Sequence, residues 1–293
     1  MATRRDELKT LGFGGLELAA ARFAGAEGAG PPYARTVTID GAGGTGLLWF
    51  ENDDAATRSE LDAIRASGLG GIVLTLAPSG RLWLDDAAFE KTKTTIDTWD
   101  RIIARHPDHL LAVRSGGDLQ RAWREGKLGL IYGFQGTESL GEDLDRIAQF
   151  RARGARDPAH PQSPQSRRRR LQRAGLCRSQ QSKVASLGII FWPYLRTDTQ
   201  PMAIDVIRHI GHAVNVCGED HVGIGIGIGI GAVEDGVFER GRPPDLYTFI
   251  PDLNRADRFD MLAAMLSKRG HPDARIEKIL GGNFARVMDT LWR

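Results

Sequence analysis

The sequence predicts an α/β fold, a (β/α)8 barrel of the TIM type, and three observations predict it. Short apolar runs suited to buried parallel strands alternate with longer stretches of helical spacing. Alternation this frequent calls for a parallel sheet with helical crossovers and favours a closed barrel over an open doubly wound sheet. The length, 293 residues with 41% apolar content, suits one barrel domain with a large core. No repeat of fixed period is present.

Residues 1–32 read as a leader ahead of a single domain over 33–293. Arg4 and Arg5, an apolar middle and a small-residue end resemble a twin-arginine export signal. Glu7 replaces the apolar residue expected after the arginine pair, and Glu17, Arg22 and Glu27 interrupt the middle. Each unpaired charge there opposes entry into an apolar phase, so the chain as written is expected to stay in the cytoplasm. No apolar run approaches the roughly 18 residues of a transmembrane helix.

Thr36 to Asp40 is a β-branched run ending in an acid, read as the first strand, and Gly41 to Gly46 (GAGGTG) is its C-terminal turn. That turn is close to a dinucleotide fingerprint, but no helical pattern opens on its last glycine, which sets a nucleotide-binding reading aside. Glu60 to Ser67 predicts a helix, Gly70 to Ala77 a strand, and Phe89 to Arg105 a long amphipathic helix carrying Ile96, Trp99, Ile102 and Ile103. Leu110 to Arg114 is a strand, Leu119 to Arg124 a helix, and Lys127 to Tyr132 an apolar strand followed by the helical pattern of Leu144, Ile147 and Ala148. Val184 to Tyr194 is strand-like, and Ala203 to Val216 is a helix with Ile204, Ile207, Ile210 and Val214 on one face. His221 to Gly231 alternates strictly, which predicts a strand with Ile224, Ile226, Ile228 and Ile230 on one side and bare glycine on the other. A glycine face removes a layer of barrel filling and predicts a void or a collapsed sheet. Two helices, Arg255 to Lys268 and Asp273 to Trp292, close the chain.

The formal charge of +2 makes no general case for nucleic acid or membrane as a partner. Arg167 to Arg170 with Arg173 is a basic cluster, but it lacks interleaved aromatics and lies among prolines and serines, so it reads as solvated loop. Cys177 and Cys217 lack C-x-x-C spacing, so two ordinary thiols are expected rather than a zinc knuckle or a disulfide framework.

Residues just past the C-terminal end of a barrel strand face the active site. That places Gln135, in the break after the Lys127 strand, and Asp40, at the end of the first strand, as the catalytic candidates. His160 is a stray candidate for substrate binding, since a lone histidine between prolines is ordinarily solvent-exposed. His209 and His212 have metal-compatible i, i+3 spacing without a completing carboxylate or cysteine, so they read as surface residues. Glu219, Asp220 and His221 precede a strand and read as the turn that fixes it. Ser115 and Ser139 lack a nucleophile elbow.

Four segments then carry a likeness: IDG near the start, GKLGLIYGFQGTESLGEDLDRIAQFRARGAR, GEDHVGIG, and RIEKILGGNFARVMDTLW at the end. Together they resemble the membrane (renal) dipeptidase family of the amidohydrolase superfamily over roughly Thr36 to Arg156 and Val184 to Arg293. ILGGNFARV and GEDHVGIG are the most specific parts. The resemblance implies a (β/α)8 barrel with two zinc ions that activate a water to cleave a dipeptide, and relatives that are often exported to the periplasm. A homodimer is compatible with it. The family's ligands after its first strand belong in Asp-Gly-His-Asn-Asp, and here that stretch is Asp40, Gly41, Ala42, Gly43 and Gly44, so the two ligand positions hold Ala42 and Gly44. Gln135 stands where the family has a bridging Glu, and Gly227 where it has a late Asp. Zinc needs about four N, S or O ligands, so the resemblance names an activity that these positions do not support. The alternative is a non-catalytic barrel relic or a binding protein without metal.

Residues 157–183 match no strand or helix pattern, and the composition changes at Arg156. Codons for Arg156 to Gln172, chosen among synonyms and read one base further on, translate as VIQLTHNRRNLVGDGC, which resembles the family's continuation. The segment is therefore expected to be out of frame, with much of the family's fifth and sixth strands missing before Val184. Sequencing the gene across Arg156 should show codons that permit this shifted reading; an in-frame gene with quite different codons ends the idea.

Overall fold

The computed structural model describes residues 36–50, 52–77, 87–134, 138–141, 143, 145–155, 187–192, 195–196, 199–227, 229–230 and 250–292. The leader, Gln135, His160 and the 157–183 segment lie outside them.

Two long apolar strands, β2 (Gly71–Ala77) and β4 (Leu128–Phe134), form the centre of a parallel sheet and share six register pairs. β1 (Ile39–Gly43) flanks β2, and β3 (Leu110–Ala112) flanks β4 on the far side. β6 (Val222–Ile224) pairs with β1, and β5 (Leu187–Ile189) with β6, giving the order β3-β4-β2-β1-β6-β5. The fold is α/β with alternating helices, as the periodicity predicts. The sheet does not close among the described residues. β3 does not come between β2 and β4, because three residues with only Leu110 fully buried cannot displace so extensive a ladder.

Two of the helices begin at clear side-chain caps. α1 (Asp54–Ala66) starts six residues before the predicted Glu60, because the Asp53 carboxylate accepts the Ala55 and Ala56 N–H groups. α2 (Ala88–Arg105) matches its expected span. α3 (Gly116–Arg124) is capped by Ser115, whose hydroxyl accepts the Asp118 N–H. α4 (Asp145–Ala152) follows β4, and α5 (Ala203–Cys217) precedes β6. Cys217 is the last residue of α5, and Cys177 is outside the described residues. α6 (Arg258–Lys268) and α7 (Asp273–Glu277) lead through a π turn (Lys278–Gly282) into α8 (Asn283–Leu291). Among the described residues no helix is long and apolar enough to cross a membrane.

Alternation along the strands feeds two apolar clusters. Ile72, Leu74, Leu130, Tyr132 and Ile224 pack with Leu61, Ile96, Trp99, Ile207 and Leu262 from α1, α2, α5 and α6. Ile39, Val73 and Ile131 point the other way, onto Leu119 of α3 and Met288 of α8. At Gly223, the first glycine of that face, the Phe284 ring of α8 occupies the space where a void was predicted. A Cβ added at Gly223 would lie 2.4 Å from Phe284, and one at Gly41 2.7 Å. The strand predicted over His221 to Gly231 ends at Ile224, since the chain bends at Gly227 into positive φ (+78°). Ile224, Ile226 and Ile230 are nevertheless all buried, as their spacing requires.

The two segments most specific to the family resemblance meet at the N-terminal end of β6. Arg275 and Lys278 hold the two carboxylate oxygens of Glu219 at 2.7 and 2.6 Å, and Asn283 donates to the Glu219 and Val222 carbonyls at 2.7 and 2.8 Å. Gly281 lies so close to β1 that a Cβ there would be 1.9 Å from the Val37 carbonyl oxygen. Its backbone is extended, so the constraint is steric. Gly281→Ala should destabilise the fold by about 3 kcal/mol in urea unfolding, as overpacking against fixed backbone does. Gly211→Ala, in α5 with nothing within 4 Å of the new methyl, should stabilise it by about 0.5–1 kcal/mol.

Candidate functional site

β1 does not end at Asp40 but runs on to Gly43 with a register shift between these two residues, and the following Gly44 bridges Gly229. The glycines of this stretch allow the close approach: a Cβ at Gly43 would be 2.2 Å from Asp40 Oδ2. Asp40 is 1% exposed. Its Oδ1 accepts the Ala42 N–H at 3.0 Å and the Ile226 N–H, from beyond β6, at 2.8 Å. Asp40 thus fastens β1 to β6 at the C-terminal ends of both strands, the end that carries the active site in a barrel.

Two further charged groups converge on the same end. Glu60 of α1 accepts the Gly46 N–H at 2.7 Å and so fixes the loop after β1. Arg258 of α6 is 2% exposed and donates to the carbonyls of Gly229 and Ile230, both at 2.9 Å, and of Arg255 at 2.6 Å. Burial pushes the Asp40 carboxyl up to about 6, against the opposing pull of its two backbone donors and of Arg258. Burial also raises Glu60, with the Gly46 N–H and Arg258 acting the other way. Arg258 is lowered by burial to about 10, while Asp40, Asp257 and Glu60 favour its charged form.

Of the positions that the sequence singles out, Asp40, Ala42 and Gly44 lie along the β1–β6 seam, and Gly227 lies beyond β6 against Trp192 and Ile190. Ala42 lies against Gly225, where an added Cβ would be 3.3 Å from the Ala42 methyl. The Trp192 indole donates to the Gly227 carbonyl at 3.3 Å, and its Nε1 would lie 2.4 Å from a Cβ at Gly227. A side chain at 227 would therefore have to displace the indole and accept positive φ. Ala42 and Gly44 carry no donor atom, and among the described residues no group of three or more His, Cys, Asp or Glu is placed to hold a metal ion. These residues do not fit a pair of zinc ions. Gln135 and His160 are outside the described residues. His209 spends its Nε2 on the Leu195 carbonyl at 2.8 Å, in keeping with a surface role.

The sequence reading missed Glu60, Trp192 and Arg258. A signal for Arg258 was present: it precedes Leu262 and Leu266 by four and eight residues, which sets it on the buried stripe of α6. A separate cleft of about 290 Å³, lined by Arg65, His109, Trp123 and Lys127, lies at the N-terminal ends of β2, β3 and β4, away from this mouth.

The raised Asp40 value has a testable sign. A carboxyl that titrates higher in the folded chain than in the unfolded one contributes stability that is fully present below the unfolded value and is lost as pH rises through about 6. The rise from 3.8 to about 6 corresponds to about 3 kcal/mol at most. Asp40→Asn keeps the Oδ1 acceptor and cannot ionise. It should unfold at higher urea than the wild type at pH 7.5, with the gap closing towards pH 4; a gap independent of pH contradicts this.

The sequence profile of membrane dipeptidases, peptidase family M19, matches residues 34–158 and 185–291. A comparison with curated protein sequences gives no match. Among solved structures, an amidohydrolase from Pseudomonas aeruginosa superposes with a TM-score of 0.65 at 19% identity, over 89% of this chain and 98% of the other. A metallopeptidase from Rhodobacter sphaeroides, liganded with a phosphinate mimic of the dipeptide L-Ala-D-Ala, gives 0.63 at 15% identity, over 88% and 100%. A dipeptidase described as a family M19 metallopeptidase gives 0.62 at 16% identity, over 88% and 99%. The family match breaks at 158 and resumes at 185, and it spans most of the chain on either side of that gap: the protein belongs to the membrane dipeptidase family.

Proposed function

We propose that this chain is a dipeptidase-family barrel whose mouth is addressed to a small peptide and whose metal-dependent hydrolysis is impaired. Membership of a metallopeptidase family supports the ligand class and the implied pair of zinc ions. The observation that carries the impairment is the donor set: Ala42, Gly44 and Gly227 occupy three of the family's ligand positions, and neutral Gln135 a fourth. A neutral amide is a poor bridge between two dications, and a hydrolytic zinc needs protein ligands plus one open position for water. In this reading Asp40 keeps the seam in shape at the mouth, and Gln135 is left as a polar contact for the peptide. The alternative, a binding protein or relic without catalysis, shares every one of these features except residual turnover.

The same reading keeps the chain in the cytoplasm, because the leader's charges oppose export. Fractionation of expressing cells tests this placement.

Purified protein should carry substoichiometric zinc by elemental analysis and should hydrolyse L-Ala-D-Ala no faster with added zinc than without it. Two zinc ions per chain after dialysis, together with zinc-dependent turnover, would refute the impairment and restore the full family activity.

A further inference from the structure

The cleft at the N-terminal ends of β2, β3 and β4 encloses about 290 Å³, close to the lower end of small-ligand pockets, which run from roughly 300 to 1,000 Å³. Its floor is apolar: Ile64, Leu69 and Leu128 line it and are buried. Trp123 lines it from α3. A Cβ at Gly70 would stand 3.3 Å from the indole Cδ1, so the bare glycine is what lets the ring close against the start of β2. The cleft stays open beside Gly68 and Gly126, where an added Cβ would meet nothing within 4 Å.

The charged and titratable side chains lining the cleft are Arg65, His109 and Lys127, and its lining holds no acid. Arg65 donates to His109 Nε2 at 3.0 Å, which makes the imidazole a neutral acceptor. Among the described residues no carboxylate pairs with Arg65, so its remaining N–H groups have no acceptor there. Lys127, by contrast, is held by Glu125 at 2.7 Å. The C-terminal ends of α1 and α3 bring about half a negative charge each at most. Arg124, in the last turn of α3, opposes that share. The rim therefore keeps a positive balance, and it is centred on Arg65.

We propose that this cleft binds a small carboxylate carried on a compact apolar body, with Arg65 receiving the carboxylate and Trp123 and the buried floor receiving the rest. A guanidinium presents paired donors that match the two oxygens of a carboxylate. An indole adds contact area for a ring or a short branched chain. A monoanion suits the single unpaired guanidinium better than a phosphate, which brings up to about two charges near neutral pH. The cleft is at the opposite strand ends from Asp40, so the proposal does not rest on how the mouth is read. Its occupant joins the end of α1 to α3 and to the starts of β3 and β4.

Benzoate is the probe, titrated into the full chain at pH 7.5 and followed by ligand-observed NMR. It should bind with a Kd of about 1 mM or tighter. Benzamide, of the same shape without the charge, should bind about tenfold more weakly, and Arg65→Met should weaken benzoate by about as much. Glu125→Gln should tighten benzoate about threefold, because Lys127 is then released from its partner. A damaged fold does not produce such a gain. Absence of binding at about ten times that concentration overturns the proposal. So does benzoate bound equally by the wild type and Arg65→Met, since it then sits elsewhere, and so does benzamide bound as tightly as benzoate. If Arg65→Met does not fold, Glu125→Gln decides: a tightened Kd upholds the site, and an unchanged one overturns it.

Discussion

The Ile226 N–H meets Asp40 Oδ1 at 2.8 Å across 186 residues of chain, and this bond reinforces the described sheet where its strand pairing is thinnest. On one side of the seam are β1 to β4, on the other β5 and β6. The ladder between β1 and β6 has a single register pair, Asp40 with Ile224, against six between β2 and β4. Main-chain bonding alone is therefore thin where the two halves of the sequence meet. A side chain that accepts one N–H from each half supplies what the ladder lacks, and burial makes that bond stronger than it would be in water. The cost is an acid taken out of solvent, which shows as a carboxyl that keeps its proton up to about pH 6.

Much of the fold was legible because periodicity reports burial directly. The isoleucines from 224 to 230 were read onto one side, and those described are buried although the ladder stops at Ile224. Helix starts were less legible: α1 begins at a cap, Asp53, that lies outside its apolar stripe. Strand order was not legible, since nothing local in Leu110 to Ala112 says whether that strand inserts beside β2 or adds outside β4. The glycine face was read as a vacancy because the filling residue, Phe284, is some sixty positions further on. A glycine pattern announces close approach but not what approaches.

At the site, Asp40 was legible as an acid at the end of a strand, but the charged groups near it were not. Glu60 and Arg258 come from helices whose amphipathic pattern marks a buried face, and a buried charge looks on paper like an imperfection in that pattern. Trp192 was read only as part of a strand, and its indole reaches Gly227 because of the positive-φ bend there.

The two ends of the strands answer to different constraints. At the N-terminal end, Gly281 against Val37 and the Glu219, Arg275, Lys278 and Asn283 network lock the last helix to the sheet. Of these residues, Glu219, Gly281 and Asn283 belong to the two most specific motifs. At the C-terminal end, Ala42, Gly44 and Gly227 carry no charge and stand outside the two apolar clusters, so what occupies these positions is not dictated by the core.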